Sequence, residues 1–586
     1  MKIPLLITAL VATPALGLRQ AAEPSEASAQ APAAAPVPQG PGLVSPALKT
    51  AADTITAAEM RAHIRFLASD LLEGRGPATR GDALAEAYIA SQMEGMGLEP
   101  VGPDGTYLQA FDVVGTLSHP PATLRVSGPQ GSKDLAYYED YMGVAGDQQP
   151  RTKIDGAEIV FVGYGIVAPE FAWDDYKGAD LKGKVLLMMN DNPEEFGRPG
   201  EKKTRLAYGR WDYKYASAAK QGALGAIIIH TTPSAGYPWQ VVQGSWSGEN
   251  FALPPSGQPL LKLLAWATEP SCQALAKLGG QDLDALRAQA GKRDFKPVPL
   301  GVTLGIDFAS EIQTKRTANV LGLLRGSDPL LSKEAVLYTA HHDHLGMRPQ
   351  TKPGEDTIYN GALDNASGVA SMLSIARAFK RLKTPPKRSI LFAAVAAEEQ
   401  GLLGSQYLAA HPPFPPGRIA ADINIDGINI WGRTHDVVMV GLNKSSLDNY
   451  IRAIAQMQGR VLNGDPEPDK GYFYRSDQVS FARIGVPAAF FDAGIETIGK
   501  PPGWGKAARD KFEETDYHQP SDELRPGWDF GGAVEDAQLC FFLGAKVAAS
   551  ERLPAWRIGD EFEAARKKAL QDVGGPISPN PPKKVP

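Results

Sequence analysis

From Thr317 onward the chain repeats one pattern: a short uninterrupted apolar run, then a stretch with helical periodicity, then another apolar run. The runs are Asn319–Leu324, Ala335–Ala340, Ile390–Ala396, Ile419–Ile425 and Pro487–Phe491. Helical spacing marks Gly368–Leu382, Ser445–Gln458 and Ala533–Ala549. Strands that are apolar on both faces need cover on both faces, and the amphipathic segments supply it. The spacing predicts an α/β fold with a mixed, largely parallel sheet flanked by helices. In such sheets ligands bind beyond the carboxyl ends of the strands, so the residues just past each run carry the chemistry.

Those residues are polar and metal-friendly. His341-His342-Asp343-His344 comes after the second run, and Glu398-Glu399 after the third. Asp426 ends the fourth. Gly361-Ala362-Leu363-Asp364-Asn365-Ala366-Ser367-Gly368 opens a helix, and Asp516-Tyr517-His518 stands near the end of the chain. Each has an ordinary explanation when taken alone. A strand-end histidine hydrogen-bonds locally, a glutamate pair faces water, and Asn365 or Ser367 caps a helix. Together the ordinary explanation weakens. Several acids at one edge of an apolar sheet are costly without cations to compensate them. Imidazoles and carboxylates around a divalent metal are the equipment of a hydrolase.

Composition narrows the alternatives. Two cysteines, Cys272 and Cys540, exclude a disulfide scaffold and a thiolate zinc site. Cys540 lies in an apolar helical run and reads as a buried small hydrophobe, so two free thiols are expected. With 60 basic against 66 acidic side chains there is no global basic field, so nucleic acid is not an expected partner. Apolar runs are too short for a transmembrane segment.

The chain divides into six stretches by texture. Residues 1–17 read as an export signal: Lys2, the apolar Ile3–Ala12 and the small-residue site Ala15-Leu16-Gly17. This gives a periplasmic or extracellular location. Residues 18–52 are an Ala/Pro-rich disordered linker. Residues 53–139 open the main domain. There Thr56-Ala57-Ala58-Glu59 is a capping box continued by Met60, Ile64, Leu67 and Leu71, and a second helix spans Asp82–Met96. Residues 140–300 form a β-rich insert with runs such as Ile159–Val162, Val185–Met189 and Ala226–Ile229. Residues 301–556 are the catalytic part and 557–586 a tail.

These motifs carry a resemblance. His341-x-Asp343, Leu363-Asp364-Asn365-Ala366-Ser367-Gly368, Glu398-Glu399-x-Gly401-Leu402-x-Gly404-Ser405, Asn424-Ile425-Asp426, Ser476-Asp477 and Tyr517-His518 resemble the di-zinc exopeptidases. That family holds secreted bacterial aminopeptidases, glutamate carboxypeptidases and glutaminyl cyclases. Tyr164-Gly165, Leu181-Lys182-Gly183-Lys184 and Ala218-x-x-x-Gly222-Ala223-x-Gly225 are similar to a protease-associated domain, set into the peptidase fold. The resemblance implies two zinc ions per chain. His341 and Asp426 would hold one, Glu399 and His518 the other, with Asp364 bridging. It further implies Glu398 as the general base for a zinc-bound water, Asp343 orienting His341, and Tyr517 steadying the oxyanion. The implied activity is removal of the N-terminal residue from peptides. His342 stands where relatives often have an aromatic residue, and Gln478 where many have histidine. His342 and His344 are expected to be structural or pocket-lining.

The same motifs allow three rivals. A metallocarboxypeptidase of this fold needs a cation for the substrate's terminal carboxylate, for which Arg475 and Lys470 are available. A glutaminyl cyclase uses one zinc. A non-catalytic binding protein would have lost ligands, and all five are present.

Overall fold

The computed structural model describes residues 44–196, 204–348, 350 and 353–577. The expected export signal and most of the linker lie outside the described residues. The linker's last residues differ from expectation: Pro46–Ala52 is a helix capped by Ser45, with Ala51 and Ala52 buried.

Four strands form the parallel centre of the main sheet, in the order Ser389–Val395, Ala335–His341, Ile419–Asn424, Ala488–Asp492. Antiparallel neighbours close both sides, Val320–Leu324 beside the first and Asp436–Val440 beside the last. Side chains along the apolar runs alternate between two cores. Val336, Tyr338, Ile390 and Phe392 point to one, where they pack with the helices Ala57–Leu67, Ser367–Lys380 and Gly531–Ala549. Leu337, Leu391, Ala393 and Val395 point to the other, with Leu408 and Phe481. Each fully buried Leu or Phe contributes about 1.5–3 kcal/mol, so both faces of the sheet are committed. Close approach matters where Tyr338 donates its hydroxyl to Cys540 O at 2.7 Å. A Cβ on Gly544 would lie 1.9 Å from that hydroxyl oxygen, so only glycine fits.

The strand expected at Asn319–Leu324 is the end of a 27-residue strand, Val298–Leu324. Its first part carries a period-two pattern, with Leu300, Val302, Leu304, Ile306 and Phe308 buried. That part pairs with Arg151–Phe161 in a second sheet, and the later part pairs with Leu108–Ser118 and then with Ile390–Ala394. The second sheet has its own parallel centre, formed by Arg151–Phe161, Val185–Met189, Gly225–His230 and Leu263–Thr268. The hairpin Thr123–Ala136 joins this layer, because Leu124, Val126 and Leu135 pack with Val302 and Leu304.

Local expectations change at two more places. Thr56 Oγ1 accepts from Glu59 N at 3.3 Å as a cap should, but the helix stops at Leu67 and Leu71 is 70% exposed. The chain there turns into a short helix, Asp70–Arg75, with three consecutive positive φ values. The stretch after 557 is not only a tail. Glu563–Asp572 is a helix whose Arg566 is buried and donates to Ile419 O at 3.0 Å. Among the described residues, no helix is long and apolar enough to cross a membrane.

Cys272 and Cys540 are both buried and unbridged. Burial pushes the Cys272 thiol up to about 12 and the Cys540 thiol higher still. We expect neither to react with a thiol reagent in the native protein and both to react after denaturation without reductant. Fewer than two reactive thiols in the unfolded chain would refute this.

Candidate metal centre

The parallel strands deliver their polar ends to one place. His341 is the last residue of its strand, Glu398 and Glu399 lie just past Val395, and Asp426 just past Asn424. Asp364 comes from the turn ahead of the helix Ser367–Lys380, and its bond to Asn365 is cis. His518 comes from the loop after Trp504–Thr515 and has a positive φ of 57°.

The five side chains form a chain of contacts. Asp364 Oδ1 lies 3.1 Å from His341 Nε2, while Asp364 Oδ2 lies 3.1 Å from His518 Nε2. His341 Nε2 is 3.2 Å from Asp426 Oδ1, and His518 Nε2 is 3.1 Å from Glu399 Oε2. His341 is 1% exposed and Glu399 5%, whereas Asp426 and His518 keep 23% and 27%, so one side is open. Asp364 thus turns a different oxygen to each imidazole.

The donor set fits zinc. Nitrogen and oxygen ligands about 2.0–2.1 Å from a tetrahedral ion sit roughly 3.3 Å from each other, close to the separations here. His518 Nε2 is buried and has two carboxylate oxygens beside it, each at 3.1 Å. Charge points the same way. Asp364, Glu398, Glu399 and Asp426 are four carboxylates in one cleft, and such groups are costly when uncompensated. Burial works against a charged His518, yet Glu399 and the bonds with Asp364 and Glu399 hold it up at about 10. Burial likewise opposes the Asp364 anion, but bonds with His341 and His518 hold its carboxyl well below the usual range. Loading a divalent cation displaces the protons held on the imidazoles.

Residues 319–539, which span these ligands, match peptidase family M28. A probable zinc metalloprotease of Pyrenophora teres f. teres is 42% identical over 108 residues, covering 18% of this chain and 22% of its own. A glutamate carboxypeptidase 2 homolog of Caenorhabditis elegans is 27% identical over 319 residues, covering 46% and 37%. The chain spans less than half the length of these relatives. The solved aminopeptidase from Aneurinibacillus sp. strain AM-1 is similar at 21% identity and a TM-score of 0.48, over 85% of this chain and 95% of that one.

Around these side chains three neighbours take up supporting positions. The Asp343 carboxylate lies at ion-pair distance from His341. That carboxylate is 3.7 Å from His341 Nδ1, and the nitrogen is nearer Asp343 O, at 3.3 Å. Asp343 also accepts from the backbone of Glu398 at 3.0 Å and of Glu399 at 3.3 Å, pinning the glutamate pair. His344 supports Glu399: its Nδ1 is 2.7 Å from Glu399 Oε1, leaving Oε2 for His518. His342 does not face the cluster of ligands. Its Nε2 lies 3.1 Å from Asp82 Oδ1.

Two further residues hold the Asp364 turn in place. Asp522 is buried and accepts from Leu363 N and Asp364 N at 2.9 and 3.0 Å, fixing the backbone at Asp364. Its place four residues after His518 in a polar loop is the one sequence hint. Asn365 Oδ1 accepts from Gly368 N and Gly427 N, joining the Asp364 turn to the Asp426 turn. Tyr517 is 47% exposed and stacks on His518 with ring centroids 3.9 Å apart, so it borders the open side.

Proposed function

We propose that this protein is an exported di-zinc aminopeptidase that hydrolyses the N-terminal peptide bond of peptides. The observation that carries the two-metal reading is Asp364, whose two oxygens face two different imidazoles at equal distance. His341, Asp364 and Asp426 would hold one ion, and Asp364, Glu399 and His518 the other. Zinc held there would supply a more acidic bound water and polarisation of the scissile carbonyl. Glu398 takes the proton of the attacking water and returns it to the leaving amine. Tyr517 lies at the open side, where its phenol reaches a developing oxyanion. Residues 1–17 support export.

The aminopeptidase reading is favoured over the carboxypeptidase by the state of the expected cations. Arg475 donates to Ala235 O at 3.1 Å and sits between the rings of Tyr237 and Tyr472. Lys470 pairs with Glu467 at 3.1 Å. Both are already engaged.

Elemental analysis of the purified protein should give two divalent ions per chain, with chelation abolishing activity and zinc restoring it. Peptides with a free N-terminus should be cleaved and N-blocked ones spared. Full activity at one ion per chain refutes the two-metal reading, and cleavage of blocked peptides refutes the aminopeptidase reading.

A further inference from the structure

The turn at Asp70–Arg75 is pressed against the metal-binding loops. A Cβ on Gly74 would meet Gly346 O at 2.3 Å and Tyr359 O at 2.7 Å, and φ there is +69°. The turn thereby carries Arg75, fully buried, beneath the site. Its Nε donates to His342 O at 2.8 Å. Nη1 donates to Leu67 O at 2.5 Å and Asn360 O at 2.6 Å, and Nη2 to Gly361 O at 2.9 Å. In return Arg75 O accepts from His344 N at 3.1 Å. All four acceptors are main-chain carbonyls. His342 lies between the ligand His341 and Asp343, and Asn360 and Gly361 lead into Asp364.

We propose that Arg75 is a positioning residue whose planar fork ties the His341–His344 loop to the Asn360–Asp364 loop and sets the separation of His341 from Asp364. This rests on the two-metal reading above. Four bonds to three separate segments need a rigid fork, and a lysine ammonium offers three donors from a single atom. Charge is a second contribution. Burial pulls the guanidinium down to about 10, against the attraction of Asp343, Asp522, Asp364 and Glu399, so it stays cationic at neutral pH under the carboxylates. Neither function needs Arg75 to touch substrate.

Arg75→Lys tests this, with Arg388→Lys as a matched control. Arg388 is equally buried, donating to Glu334 Oε2 and Val547 O, but it precedes the strand that ends before Glu398. At about 3.3 Å per residue it is roughly 20 Å from the metal-binding end. In chelator competition, Arg75→Lys should lose metal about 10–100-fold more readily than wild type, the range for groups that orient ligands. Its kcat should fall with KM little changed. Arg388→Lys should lower Tm yet retain metal as wild type does. Equal metal retention in Arg75→Lys and wild type overturns the proposal, as does equal metal loss in both variants. If Arg75→Lys does not fold, hydrogen exchange on the wild type decides. Stripping metal should speed exchange at 66–76 and leave 385–390 unchanged, and unchanged protection at 66–76 overturns the proposal. A wild-type protein that binds no metal overturns the metal-centre reading with it. Two ions held tightly by both wild type and Arg75→Lys overturn the proposal alone.

Discussion

Replacing Glu398 by Gln should leave the metal content unchanged and lower kcat by about 10²–10⁴-fold, the usual contribution of a general base. The backbone explains why neighbouring glutamates have different tasks. Asp343 holds both amides, at 3.0 and 3.3 Å, and the chain at Ala397 has a φ of 53°. Glu399 is drawn between His344 and His518. Burial, and then the carboxylates of Glu399, Asp426 and Asp477, push the Glu398 carboxyl well above its usual value, against His341. A group so placed accepts a proton readily, and nearby cations would lower its pKa back towards the usual carboxylate range. Glutamine keeps the shape and loses the proton acceptor. Metal analysis alongside steady-state kinetics checks the split, and near wild-type kcat with full metal would remove Glu398 from the mechanism.

Asp364→Ala should act on both ions at once. In the proposed centre each of the other four side chains would serve one position, but Asp364 faces both imidazoles at 3.1 Å. Its removal leaves two side chains at each position, His341 with Asp426 and Glu399 with His518. The loss of metal affinity should exceed the ~10–100-fold that outer groups command, and activity should fall below detection. The fold should persist, because the turn's backbone is held independently by Asp522 and Asn365. Elemental analysis and circular dichroism together test this. A variant that keeps one ion at wild-type affinity would show that Asp364 serves one position only.

Much of this architecture is local in origin and legible as such. The apolar runs at Ala335–Ala340 and Ile390–Ala396 form strands because side chains alternate between two covered faces. Ligand-type residues stand just past these strands because that is where a parallel sheet opens. Even the 298–309 part of the long strand has its own signal, in alternate buried residues from Leu300 to Phe308. That signal is masked because the strand runs on into an apolar segment of different texture, so the two halves do not read as one element.

Sequence by itself determined the central parallel strands, the edge at which the polar residues gather, and the residue types able to hold a metal, since each is set by neighbours a few positions away. Tertiary structure decided what supports them. Arg75 meets His342 across 267 positions, and Asp522 meets Leu363 across 159. His344 reaches Glu399 across 55, and Asp343 reaches Glu398 across the same interval. No periodicity encodes such pairs. They exist because a buried N–H or carbonyl must find a partner once loops from distant strands converge, and only the folded chain brings those loops together.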